Sequence, residues 1–82
     1  MQLSIEITMY PLQDNYLPAI KGCIEKINSF DELEITTVPT ATIVIGEYSR
    51  VMTMLNDVIA WSCENYGKCV FVTKFLPGYE AK

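Results

Sequence analysis

Residues 4–20 read SIEITMYPLQDNYLPAI, and how that stretch folds decides the architecture. It extends an alternation in which Leu3, Ile5, Ile7 and Met9 are apolar and Ser4, Glu6, Thr8 and Tyr10 stand between them. A period of two marks a strand with one face on a core. Tyr10 ends the strand, because Pro11 has no N–H to give to a ladder. Tyr16 or Leu17, Ile20, Cys23 or Ile24, and Ile27 then recur at helical spacing, with Asp14 or Asn15 as the expected N-cap. Pro18 falls in the first turn, where its missing N–H has no intrahelical acceptor to lose. The proline therefore starts the helix and does not break it.

Beyond this junction the same two periods alternate. Ser29–Glu32 is turn-like, and Leu33, Ile35 and Thr37 alternate with Glu34, Thr36 and Val38 as a second strand. Pro39 marks a turn into a third strand, Thr40–Ile45, so the two form a hairpin. Gly46-Glu47-Tyr48-Ser49 supplies an exit and an N-cap. Val51, Met52, Leu55, Val58, Ile59 and Ser62 or Cys63 then trace a second amphipathic helix. Tyr66-Gly67 stops it, with Gly67 suited to a left-handed C-cap. Lys68–Phe75, KCVFVTKF, is rich in strand formers, and Pro77-Gly78 closes the ordered part. Residues 79–82 are expected to form a loose tail.

The order β-α-β-β-α-β predicts one α+β domain, residues 1–82, of the ferredoxin-like class. Its four-stranded antiparallel sheet has strand order 4-1-3-2, with two helices on one face. The alternation assigns Leu3, Ile5, Ile7, Met9, Leu33, Ile35, Ala41, Ile43, Ile45, Val70 and Val72 to the helix side. The open face then holds Ser4, Glu6, Thr8, Tyr10, Glu34, Thr36, Val38, Thr42, Val44, Cys69, Phe71, Thr73 and Phe75. Tyr10, Val44, Phe71 and Phe75 form an apolar patch there, which predicts a homodimer or higher homo-oligomer through the sheet face. Glu6, on a central strand between Thr42 and Thr73 in this arrangement, is a carboxylate that needs a partner if covered.

Composition narrows the function classes. Eighty-two residues make one small core, and oligomerisation is a common remedy for marginal stability at this size. Ten acidic and six scattered basic residues, with a single arginine, give phosphate-backbone binding little to work with, so nucleic acid is not an expected partner, and no uninterrupted apolar run approaches membrane-spanning length, so neither is a membrane. Cys23, Cys63 and Cys69 form no CxxC motif and there is no histidine, which fits reduced, largely buried thiols and neither a disulfide framework nor a metal site. Met1-Gln2-Leu3 runs straight into a strand without a leader-like segment, so the expected compartment is the cytoplasm. No cofactor is expected. Acylphosphatases share this topology but need an arginine near the start of the chain, whereas Arg50 lies on the second helix. An enzyme is accordingly not expected.

IEITMYPL, Ile5–Leu12, resembles the opening of the YkoF-like thiamine and hydroxymethylpyrimidine binding proteins. The resemblance continues through TTVPTATIVIGEY, Thr36–Tyr48, and the Gly46-Glu47 turn into the second helix, and so spans most of the chain. It implies a non-enzymatic small-molecule binding protein that holds the aminopyrimidine of thiamine in a pocket of one domain. Near the matched motifs, Tyr10 and Tyr48 are candidates for stacking, and Thr8, Thr40 and Thr42 for hydrogen bonds. Glu6 and Glu47 are candidates to meet the amine or the thiazolium cation. The family carries two such domains in tandem, an arrangement that a homodimer restores. The alternative is an oligomeric regulatory or assembly module of the same fold with no small ligand.

Overall fold

Six elements follow one another in the computed structural model, which describes residues 1–80: β1 (Gln2–Pro11), α1 (Leu17–Asn28), β2 (Glu34–Val38), β3 (Ala41–Glu47), α2 (Tyr48–Tyr66) and β4 (Cys69–Pro77). The sheet is wholly antiparallel in the order β2-β3-β1-β4, the ferredoxin-like arrangement expected from the alternation. Leu3, Ile5 and Ile7 of β1 pack with Cys23 and Ile27 of α1 and with Val51, Met54, Leu55 and Val58 of α2 in one core. Both helices thus cover the face that β1's odd residues define.

Two strands present the opposite face from the one expected. Leu3, Ile5 and Ile7 stand opposite Gly46, Val44 and Thr42, which puts Val44 and Thr42 under the helices, both buried. Ala41, Ile43 and Ile45 turn to the other side, where Ile45 and its partner Ser4 are nonetheless buried. The cause is the hairpin turn: Val38 pairs with Ala41 across Pro39-Thr40, so inward Ile35 pairs with Val44 and Thr37 with Thr42. In β4, Ile5, Ile7 and Met9 oppose Phe75, Thr73 and Phe71, which places these three and Cys69 on the helix side. Phe71 packs on the core, while Val70 and Val72 face outward and are exposed. The apolar patch of the open face is therefore Tyr10, Ile43, Val70 and Val72, and not Val44, Phe71 and Phe75. Glu6 lies between Ile43 and Lys74, not between threonines, and its carboxylate is 3.9 Å from the Lys74 ammonium.

Pro18 occupies the first turn of α1, as its chemistry requires. The N-cap is Tyr16 and makes no side-chain cap bond, so neither Asp14 nor Asn15 caps this helix. Helix α2 starts on Glu47, whose carboxylate accepts from the Ser49 N–H at 3.3 Å and also from the Ser49 hydroxyl. It ends on Gly67 at φ 80° and ψ −147°, a backbone region open essentially to glycine. The Gly78 N–H donates to the Gln2 carbonyl at 2.7 Å, and the Ser4 hydroxyl donates to the Tyr79 carbonyl. Of the expected tail, residues 81 and 82 lie outside the described residues. Among the described residues no helix is long and apolar enough to cross a membrane.

Candidate functional site

β1 outruns the hairpin. Its last partner in β3 is Thr42, opposite Ile7, while on the other side β4 continues to pair as far as Pro11. From Thr8 to Pro11 the edge of β1 that faces the hairpin has no strand partner among the described residues. Backbone groups on an uncovered edge remain available to another donor or acceptor. The Thr8 hydroxyl partly bridges the gap, donating to the Thr40 carbonyl at 2.9 Å.

A cavity of about 530 Å³ opens at this place, between α1 and the hairpin tip. Its floor is Ile7, Thr37 and Thr42 on the helix side of the sheet, and its roof is Ile20, Cys23, Ile24 and Ile27 of α1. Small side chains such as Thr37, Thr42 and Cys23 on the facing surfaces leave room that a Leu or Phe would fill. Met9, Tyr10, Pro11, Gln13 and Tyr16 form one rim, and Val38, Pro39, Thr40 and Ala41 the other. Tyr10 and Tyr16 are about half exposed, at 54% and 49%; Tyr16 stands at the mouth, while Tyr10, opposite Val70, directs its ring to the open face of the sheet. The size falls in the range of about 300–1,000 Å³ usual for small-molecule sites, and the mix of apolar walls with few polar groups is also usual.

Among the described residues no acidic or basic side chain lines this cavity. Its hydrogen-bonding groups are hydroxyls, one amide and strand backbone. The ionisable cysteine in its wall is Cys23, and burial, the larger effect, pushes that thiol up, whereas the Ser62 side chain beside it pulls it down. A thiol held in its neutral form is a poor nucleophile.

Of the seven residues singled out from the sequence, Thr8, Tyr10, Thr40 and Thr42 belong to this cavity. Glu6, Glu47 and Tyr48 do not. Glu6 lies on the open face beside Lys74. Glu47 pairs with Gln2, at the far end of β1 from Ile7, about 17 Å along the strand at the usual rise. There the Ser49 hydroxyl, and next the Ser49 N–H, hold the Glu47 carboxyl below its ordinary range, while the Tyr48 N–H donates to the Met1 carbonyl at 2.8 Å. Gln13, Tyr16 and Thr37 escaped the sequence reading, as did the roof residues of α1, whose spacing reads only as core. Tyr16 and Leu17, which the helical spacing reads as the start of the apolar stripe, are in fact exposed.

No family model matches the chain, and no curated protein matches it. Solved structures do. A provisionally named thiamine biosynthesis/salvage protein from Thermotoga maritima superposes with a TM-score of 0.85 at 22% identity, over 99% of this chain and 86% of that one. A protein from Streptococcus pneumoniae superposes with a TM-score of 0.79 at 18% identity, over 96% of this chain and 89% of its own. A hypothetical protein from Methanocaldococcus jannascii gives 0.80 at 16% identity, over 99% and 84%. At these identities the likeness is one of fold.

Proposed function

We propose that this protein binds thiamine or its hydroxymethylpyrimidine moiety without transforming it, in the cavity between α1 and the hairpin. The observation that carries the reading is the uncovered edge of β1 inside a neutral, threonine-lined cavity. An aminopyrimidine is a flat ring with a donor-acceptor edge, and such an edge complements strand backbone and the Thr37 and Thr42 hydroxyls. The apolar roof on α1 suits the face of the ring. Tyr16 at the mouth suits the thiazolium of thiamine, which a ring face attracts without any carboxylate. The fold neighbour named for thiamine biosynthesis or salvage points to the same ligand class, as does the resemblance of Ile5–Leu12 and Thr36–Tyr48. The neutral Cys23 thiol supports binding in preference to catalysis.

Calorimetric titration of the protein with hydroxymethylpyrimidine and with thiamine tests this. Binding of either with Kd below about 1 mM is expected, equivalent to roughly 4 kcal/mol. If neither binds, the cavity is not a pyrimidine site, and the assembly-module reading takes its place.

We also propose that the protein is a homo-oligomer through the open face of the sheet. Tyr10, Val70 and Val72 are exposed there, and Ile43 is only partly covered. Glu6 and Lys74, which lie beside each other on that face, can exchange partners between two copies related by a two-fold axis.

A further inference from the structure

The turn from α2 to β4 brings two thiols together. Cys63 lies one turn before the end of α2, and its carbonyl accepts the Gly67 N–H at 3.0 Å. Gly67, at φ 80°, folds the chain back so that Cys69, the first residue of β4, returns to it. The two sulfurs are 3.7 Å apart. Cys63 is exposed and Cys69 half-buried, whereas Cys23 is buried within the core. The site thus has one thiol open to reagents and a second in contact behind it. Closing to the roughly 2.0 Å of a disulfide asks for side-chain rotation and a small movement at the glycine.

We propose that Cys63 and Cys69 form a reversible intrachain disulfide by exchange with a low-molecular-weight disulfide such as oxidised glutathione. The exposed Cys63 thiolate attacks one sulfur of the reagent, and the reagent's own S–S bond breaks to release one glutathione thiolate. Cys69 then attacks Cys63 Sγ in the mixed disulfide and displaces the second glutathione. The two cysteine protons end on the two glutathiones, and the two electrons of the new bond's formation reduce the reagent. Burial first, and the Cys63 thiol second, push Cys69 up to about 11 in the reduced protein. Cys63, the exposed thiol of the pair, is the one that attacks first. Once Cys63 is bonded to glutathione its contribution disappears, and Cys69 ionises more readily for the second step. The bond is positioned to tie the end of α2 to β4 where Cys69 pairs with Pro11 and the Leu12 N–H donates to the Lys68 carbonyl at 3.0 Å.

The experiment is equilibration of the whole chain in glutathione buffers of graded redox poise, followed by acid quenching, intact mass and peptide mapping. A loss of two hydrogens with one link, Cys63 to Cys69, is expected, reversed by dithiothreitol. Cys23→Ser should retain that link, and Cys63→Ser and Cys69→Ser should each abolish it. Accumulation of the glutathione adduct on Cys63 without closure, a link through Cys23, or cross-linked chains in place of the intrachain bond would each overturn the proposal.

Discussion

Thr42 is 4% exposed on the cavity floor, opposite Ile7 on one side and Thr37 on the other. Its hydroxyl is placed where a ligand edge would meet it. Valine keeps the shape and removes the hydroxyl. Thr42→Val is expected to weaken pyrimidine binding about 5- to 10-fold, the loss of one net hydrogen bond of about 1 kcal/mol, while the circular dichroism spectrum stays unchanged. Glu6→Gln should leave the affinity unaltered, because Glu6 lies on the other face of the sheet; calorimetry on both variants separates the two positions. Glu47 carries a different consequence. Its folded pKa lies below the ordinary 4.5, so its contribution to stability is complete above that value and is lost as pH falls through it toward the folded pKa. Glu47→Gln should lower Tm at neutral pH, and the gap from the parent should narrow in acid. A gap independent of pH would show that the Ser49 contacts do not stabilise the charged cap.

At the scale of elements, β1 was legible because only one of its faces is apolar. β3 was not: Ala41, Ile43 and Ile45 compete with Val44, so alternation alone does not say which set is buried. The information lay in the turn. A two-residue Pro39-Thr40 connection couples Ile35 to Val44, and once Ile35 is inward the parity of β3 follows. β4 has the same ambiguity, with Phe71 and Phe75 on one side and Val70 and Val72 on the other, and the larger Phe71 takes the core. The cavity was half legible for a related reason. The hairpin threonines were visible as polar groups in a strand, but the space above them depends on how far β1 extends past the hairpin, a tertiary quantity. The corrected parity has a direct test. Phe71→Glu puts a charge against the core and should cost about 2–4 kcal/mol in urea unfolding, whereas Val72→Glu, compared at protein concentrations low enough that the parent is dissociated, should cost under about 1 kcal/mol. Comparable costs at the two positions would mean that β4 is turned the other way. Gly67→Ala tests the α2–β4 turn separately. Nothing lies within 4 Å of where its Cβ would stand, so the expected loss of about 1–3 kcal/mol comes from the positive φ alone.

The molecule as a whole has a face covered by both helices and one covered only at its Ser4–Ile45 end, where both residues are buried and the Ser4 hydroxyl donates to the Tyr79 carbonyl. Both helices lie on the same side of the sheet, and among the described residues no further helix or strand lies on the other. On that side Tyr10, Val70 and Val72 are exposed next to each other, since Tyr10 pairs with Val70 and Thr8 with Val72 across β1 and β4. Burying this patch against a second copy adds apolar area to a core that is small for its chain, and the Glu6–Lys74 pair can remain at the wet rim of such an interface. β4 is an edge strand, so the same contact shields its outward valines. Light scattering at micromolar concentration should therefore give a mass that is a multiple of the 9.3 kDa chain. Val72→Glu brings two like charges close together across a two-fold contact, and should shift the population to the single-chain mass while the circular dichroism spectrum holds. Phe71→Glu cannot serve this purpose, because it acts on the core. A single-chain mass for the parent protein, or an unchanged multiple for folded Val72→Glu, would place the association elsewhere and leave the open face of the sheet as a solvated surface.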